Sequence, residues 1–360
     1  MSNRPYYEQV DIENTQKLRE LIASLPPFVK DFFRGIEPTT SSRTRIAYAY
    51  DLNIFFDYLI KNNPELRSVE KKDIPLELLD RLTASDLMEY MEYLKYYHKD
   101  TPEQNNKEHM NRERGIMRKV SSLKTFYNFF YRHEMIKNNP AALIDMPKVS
   151  DKAIIRLDID EVAMLLDHVE QGDQLTKSQK IFHNKTKIRD LALISLLLGT
   201  GIRVSECVGL DLGDVDFKND GIKIHRKGGK EVIVYFSDEV EEALRDYMEE
   251  RKQIVPVEGH EDALFLSIQR KRINVRSVEN LVKKYTRSVT ALKNITPHKL
   301  RSTYGTNLYQ ETGDIYLVAD VLGHSDVNTT RKHYAAIEDQ NRRSARNKVR
   351  LREKREKKQP

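Results

Sequence analysis

The stretch Leu191-Ala192-Leu193-Ile194-Ser195-Leu196-Leu197-Leu198-Gly199-Thr200-Gly201-Ile202-Arg203-Val204-Ser205-Glu206 decides the fold. From Leu191 to Leu198 it is almost wholly apolar, the mark of a helix enclosed at the centre of a core. Thr200-Gly201 ends that helix. Arg203 then begins a new helical run with Glu206 three residues later, which puts a guanidinium at a helix N-terminus, a place where anions bind. The plainer alternative is an arginine paired with Glu206 on a surface.

Downstream, the hydrophobic period changes between Gly221 and Phe236. Ile222 and Ile224, then Val232, Val234 and Phe236, alternate with polar residues, and Arg226-Lys227-Gly228-Gly229-Lys230 between them has the glycine-rich chemistry of a hairpin turn. This predicts a small antiparallel sheet. Helical patterns return at Val278 to Val289, at Pro297 to Glu311 with Pro297 in the favoured first turn, and at Ile315 to Leu322, closed by Gly323. Upstream, a polar loop around Gln171 to Lys180 and a helical run from Ile159 precede the central helix. The segment Met146 to Asp158 is polar and without period, and reads as a linker between two domains.

The first 148 residues read as an all-helical domain. Thr39 to Ser42 caps a long helix whose Leu52, Phe55, Phe56 and Leu59 share one face. Further helices are predicted at Ala84 to Tyr97 and at Gly115 to Tyr131, where Val120, Leu123, Tyr127 and Phe130 recur at helical spacing. Such an aromatic stripe is expected to be core. Before it, Leu18, Leu21, Ile22 and Leu25, then Phe28, Phe32 and Phe33 after Pro26-Pro27, predict a helical extension over residues 1–38.

At 360 residues the chain is too long for one ordinary core, so two domains with extensions are expected. No apolar run approaches the roughly 20 residues that span a membrane, and Met1 to Tyr7 has no signal-peptide pattern, so a cytoplasmic protein is expected. A single cysteine, Cys207, excludes an internal disulfide and a zinc cluster of usual spacing, and its apolar setting favours a buried residue over a reactive thiol. The net charge of +6 is unevenly placed: Arg342 to Pro360 carries ten Lys/Arg against two Glu, a net of +8, leaving the rest near −2. A basic tail of this kind suits a DNA-backbone or partner-contacting arm, or simply a solvated helix end. In the helical domain Arg43, Arg45, Arg112, Arg114, Arg118, Lys119 and Lys124 sit at helix starts or off the apolar stripe, where they could reach phosphates or merely solvent.

The chemistry-bearing residues are Arg203, Lys227, His298, Arg301, His324 and Tyr334. Two arginines, a lysine and two histidines can grip a phosphodiester, neutralise the charge that builds at phosphorus and move protons to and from its oxygens, while a tyrosine supplies a nucleophile. Individually each signal is weak. His298 and Arg301 share one helical face at i and i+3, and His324 follows a glycine that fixes its direction.

In order and spacing, Thr200-Gly201-Ile202-Arg203-Val204-Ser205-Glu206, Lys227 in a β-turn, His298-Lys299-Leu300-Arg301, Leu322-Gly323-His324-Ser325 and Tyr334 resemble the catalytic signature of the tyrosine recombinases. The likeness runs from Thr39 to about Ala336. It is greatest to the Xer type, particularly the single-protein Xer recombinases of streptococci and lactococci, with phage and transposon integrases close behind.

That resemblance implies a mainly α fold with a small antiparallel sheet: a helical extension (1–38), a core-binding, SAM-like DNA-binding domain (39–148), a linker (149–158), an α+β catalytic domain (159–340) and a basic tail (341–360). It implies an enzyme that cuts and rejoins DNA through a covalent 3′-phosphotyrosine, without metal, ATP or other cofactor. Arg203 and Arg301 would clamp the scissile phosphate. Lys227, with Lys230 as runner-up, would protonate the leaving 5′-oxygen. His298 would act as general acid/base, His324 would hydrogen-bond the phosphate, and Tyr334 would attack. The partners implied are duplex DNA carrying an inverted-repeat site and three further copies of the chain, a homotetramer that exchanges C-terminal segments. Chromosome dimer resolution and mobile-element integration or excision use the same active site. One departure is visible: ten positions separate His324 from Tyr334, one more than the Xer pattern usually has. Two other readings of the same residues are a type IB topoisomerase and a non-catalytic DNA-binding relative.

Overall fold

A computed structural model describes residues 5–101, 104–148, 155–226, 229–290, 292–324 and 326–327, with only the backbone described at 99–101 and 104–107. The chain divides into two compact units, residues 2–152 and 153–360.

In the first unit, α1 (Tyr6–Ile22), α2 (Val29–Ile36), α3 (Ser42–Asn62), α4 (Leu78–Arg81), α5 (Ala84–Tyr93) and α6 (Glu113–Arg132) surround one apolar core. Ser41 caps α3 by accepting the Thr44 N–H, and the predicted face of Leu52, Phe55, Phe56 and Leu59 is buried. On α6, Phe126 sits at the crossing of the core, its ring within 6.4 Å of the rings of Phe28, Phe32, Phe56 and Phe130. The aromatic stripe is therefore packing, as its spacing predicts. Leu18, Leu25, Val29, Phe32, Phe33 and Ile36 enter this same core, so the N-terminal helices complete the unit. Gly35 allows the approach of α2 to α6: a Cβ there would lie 2.2 Å from the Phe129 ring.

The all-helical expectation for this unit needs correction. The helix predicted to reach Tyr97 stops at Tyr93, and an antiparallel hairpin follows, β1 (Tyr96–Thr101) with β2 (Gln104–Met110), pairing Tyr96 with Met110 and Tyr97 with His109. Its sequence lacks apolar alternation because one contact anchors it: Tyr97 is buried, stacked on Tyr93 on one side and on His109 on the other, at 5.3 and 5.4 Å.

The second unit is built on α8 (Lys177–Thr200), which follows α7 (Ile159–Gln171). Leu193, Ile194, Leu196 and Leu197 have no exposed surface, as the opening stretch requires. Gly201, at φ +64°, ends α8 in the left-handed conformation. After α9 (Val204–Gly209), the strands β3 (Val215–Asp216), β4 (Gly221–His225) and β5 (Glu231–Tyr235) form an antiparallel sheet in the order β3-β4-β5, with Ile222 opposite Val234 and His225 opposite Glu231. The two-residue β3 is too short to show a period. Helices α10 (Asp238–Lys252), α11 (Val275–Val289), α12 (Pro297–Thr312) and α13 (Ile315–Leu322) complete the unit, with α7, α10 and α12 packed on α8.

A buried carboxylate ties α8 to α11. Asp190, 1% exposed, accepts from Arg189, Thr186, Lys284 and the Tyr285 hydroxyl, which in turn meets His183 Nδ1 at 3.0 Å. Burial holds the Lys284 ammonium below its usual range in spite of Asp190. No described helix is long and apolar enough to cross a membrane.

Candidate active site

The site lies where three chain turns of the second unit meet: the end of α8, the start of α9 and the end of α13. Pro297 occupies the first turn of α12, whose backbone needs no N–H there, and fixes the start of the helix that carries His298 and Arg301. Leu300, between them, is fully buried, which turns His298 outward to solvent while Arg301 points inward and is 5% exposed. Arg301 bridges two helix ends: Nη1 donates to the Gly201 carbonyl at 2.6 Å and Nη2 donates to the Leu322 carbonyl.

Arg203 caps the start of α9. Its backbone N–H donates to Glu206 Oε2 at 2.7 Å and its Nη1 to Oε1 of the same carboxylate at 2.8 Å, while Nη2 reaches the Gly323 carbonyl at 3.3 Å. The side chain remains 41% exposed. The pairing with Glu206 expected from the sequence is present, and the guanidinium stays part-exposed beside Arg301's anchorage. Gly323, at φ +62°, ends α13, and His324, partly buried, follows it with its N–H bonded to the Ala319 carbonyl at 2.9 Å. Four of the six predicted residues, Arg203, His298, Arg301 and His324, are therefore carried on adjoining elements linked by the carbonyls of Gly201, Leu322 and Gly323. Lys227 and Tyr334 lie outside the described residues.

Tyr304 and Tyr309, the other phenols on α12, pack against the site's floor. Tyr304 lies over Gly201, where a Cβ would come within 2.4 Å of its ring, and burial pushes its phenol above the usual range. Tyr309 joins Val318 and Leu322 in a small apolar cluster. Cys207 is fully buried and burial pushes its thiol up, which makes it inert. Among the described residues no group of His, Cys, Asp and Glu could hold a metal ion.

One participant escaped the sequence reading. Arg226, at the end of β4, sends its guanidinium across to the last turn of α13, where Nη2 donates to the Val321 carbonyl at 2.8 Å. The only signal in the sequence is its place next to Lys227.

The seven basic residues singled out in the helical unit separate into two groups. Arg43, Arg112 and Arg114 are exposed, and Arg118 is half exposed with both Nη atoms 2.6 Å from the buried Asp51 carboxylate. Arg45 and Lys119 are buried, the first paired with Glu37 at 2.7 Å and the second bonded to Asn111 at 3.0 Å, and Lys124 donates to the Ile144 carbonyl. The expectation that all seven face phosphates is corrected for Arg45 and Lys119, whose cations are turned inward.

A half-exposed and a buried guanidinium are thus fixed on adjoining carbonyls just before His324, on a mixed α/β unit that follows a helical one. Residues 156–341 match the model of the phage integrase family, and the chain belongs to that family. It is similar to the tyrosine recombinase XerC of Caldanaerobacter subterraneus subsp. tengcongensis, 32% identical over 336 residues that cover 90% of this chain and 86% of the relative. It is also similar to the tyrosine recombinase XerS of Lactococcus lactis subsp. cremoris, 30% identical over 351 residues, 89% of this chain and 93% of the relative. In fold it resembles the XerH site-specific recombinase bound to a palindromic difH substrate, in a post-cleavage complex, with a TM-score of 0.62 at 18% identity over 92% of this chain and 94% of that one. Membership carries the activity: a site-specific recombinase that breaks and rejoins DNA strands, with the topoisomerase and non-catalytic readings not favoured.

Proposed function

We propose that this chain recombines two copies of an inverted-repeat site in duplex DNA, as a homotetramer in the cytoplasm. The observation that carries the reading is the meeting of Arg203 and Arg301 on the carbonyls that end α8 and α13, beside His324. Arg203 and Arg301 clamp the scissile phosphate. Two of Arg301's five N–H donors are committed to carbonyls, and its charge is undiminished by them.

Tyr334 attacks the phosphorus to give a 3′-phosphotyrosine, and Lys227 gives its proton to the departing 5′-oxygen. His298 exchanges a proton with the phenol and His324 bonds a phosphate oxygen. A phenol with a pKa near 10 is a poor nucleophile at neutral pH, and the cationic cluster favours its ionised form. The ester bond keeps the energy of the broken strand, so rejoining needs no nucleotide. Arg43, Arg112, Arg114 and Arg118 supply phosphate contacts from a core-binding domain over residues 39–148, joined through 149–158 to a catalytic domain over 159–340. Residues 341–360 form a basic arm, and the C-terminal segment exchanges between subunits.

The test is a nicked suicide substrate from which the cleaved strand diffuses away. Tyr334→Phe is expected to abolish the covalent protein–DNA band while DNA binding stays intact. An undiminished band removes Tyr334 from the mechanism.

A further inference from the structure

Arg226 closes the β4–β5 hairpin and leaves it at once. Its backbone N–H bonds to the Lys230 carbonyl at 2.8 Å and its carbonyl accepts from Gly229 at 3.1 Å, so both main-chain groups belong to the turn. Its side chain belongs to another element. Nη2 donates to the Val321 carbonyl at 2.8 Å and Nη1 reaches the Asp320 carbonyl at 3.4 Å, while Nε is shut off from solvent. The guanidinium lies so close over Gly323 that a Cβ there would be 2.3 Å from Nη1 and 2.4 Å from Cζ. Gly229 faces open space: a Cβ there would meet nothing within 4 Å. Arg226 thus links the end of β4 to the last turn of α13. That is the turn whose Leu322 and Gly323 carbonyls hold Arg301 and Arg203 and which leads into His324.

We propose that Arg226 is a positioning residue: its latch on α13 sets where the hairpin delivers Lys227, and so controls proton transfer to the leaving oxygen. This rests on the reading of Lys227 as the general acid. In that step the Tyr334 oxygen forms a bond to phosphorus, the bond from phosphorus to the 5′-oxygen breaks, and a proton passes from Lys227 Nζ to that oxygen to leave a 5′-hydroxyl. A lysine one peptide bond beyond Arg226 in the sequence gains its effective concentration from the anchorage of that residue. Displacing a catalytic group by about 1 Å can cost on the order of 100-fold in rate.

The chemistry offers a readout that folding defects do not mimic. When the bridging 5′-oxygen is replaced by sulfur, the strand leaves as a thiolate, which needs no proton. On the oxygen substrate Arg226→Ala is expected to form covalent complex about 100-fold more slowly than the unmodified enzyme. On the sulfur substrate it is expected to come within about threefold of it, matching the rescue of Lys227→Ala. Arg226→Gln, which keeps a donor for one carbonyl, serves where the alanine variant fails to fold, and is expected to be rescued in the same way.

An arginine variant equally slow on both substrates, beside a rescued Lys227→Ala, overturns the latch and leaves the general-acid reading standing. A Lys227→Ala that sulfur does not rescue overturns both.

Discussion

Replacing Arg301 separates the structural job its hydrogen bonds show from the phosphate clamp proposed for it. It is 5% exposed and satisfies the Gly201 and Leu322 carbonyls, both on buried residues at helix ends, where no intrahelical donor exists. Arg301→Ala leaves both acceptors bare, at about 1–3 kcal/mol each, so about 2–6 kcal/mol is lost from a domain stability of roughly 5–15 kcal/mol. In a unit of this size each kcal/mol corresponds to about 2–4 °C, which puts the expected drop in Tm at about 5–20 °C. Arg301→Lys keeps the charge and one donor direction, and is expected to lose about half as much.

Cleavage divides differently between the variants. A lysine cannot present the planar fork that holds two phosphate oxygens. Loss of one such preorganised contact costs about 2.7–4 kcal/mol in the transition state, a 100- to 1,000-fold loss of rate. The assay pairs thermal unfolding with the rate of covalent-complex formation on a suicide substrate, run well below each variant's Tm and at saturating enzyme. Arg301→Lys is expected to show about half the Tm drop of Arg301→Ala and to cleave at least about 100-fold more slowly. Arg301→Ala with an unchanged Tm refutes the structural half of this argument, and Arg301→Lys cleaving within threefold of normal refutes the catalytic half.

Three further outcomes are expected. Arg43→Ala, Arg112→Ala and Arg114→Ala each lower the slope of log K against log salt by about 0.9 for DNA binding, whereas Arg45→Ala and Lys119→Ala leave the slope unchanged and lower Tm, because their cations face Glu37 and Asn111. His168 and His183 are buried, and burial holds both imidazoles below the usual histidine range, so below pH 6.5 the unfolded chain takes up protons first and stability falls with acidification. Each contributes at most about 1.4 kcal/mol per pH unit, and denaturant midpoints should drop less between pH 7 and pH 5.5 in a His168→Gln/His183→Gln variant. Gly201→Ala adds left-handed strain and a 2.4 Å clash with Tyr304, for a loss of about 2–4 kcal/mol that a denaturant titration measures directly.

What the sequence disclosed follows from the range of each interaction. Leu191 to Leu198 could be read as a central helix, and Val120, Leu123, Tyr127 and Phe130 as a core face, because burial there is dictated by local period. The same period also separates the basic residues, which placing all seven at helix starts or off the stripe overlooked. Arg45 precedes Ala49 and Leu52 by four and seven positions, and Lys119 precedes Leu123 and Phe126 by four and seven, so both lie on the apolar face, where only an internal partner lets a cation stay. Arg43 and Arg114 fall outside it. The hairpin at Tyr96 to Met110 is hidden for the opposite reason: among its described side chains only Tyr97 is buried, which leaves no alternation to read. The reach of Arg226 to Val321, across 95 positions, leaves no pattern in the sequence.

The partners of the three arginines set the charge of the site. Helices α8 and α13 each end at a left-handed glycine, which leaves carbonyls pointing out of the last turn with partial negative charge. Arg301 donates to the Gly201 and Leu322 carbonyls, Arg226 to the Val321 carbonyl, and Arg203 to the Gly323 carbonyl and to Glu206. A carboxylate cancels the charge it orients; a carbonyl fixes a guanidinium and leaves its charge in place. The carbonyl contacts thus hold these guanidiniums in position before any ligand arrives without cancelling their charge. A phosphodiester carries one negative charge, and attack at phosphorus raises it toward two. On the proposed reading of Arg203 and Arg301 as the phosphate clamp, positive charge held rigidly in this way favours the second state over the first, and that difference accelerates the reaction.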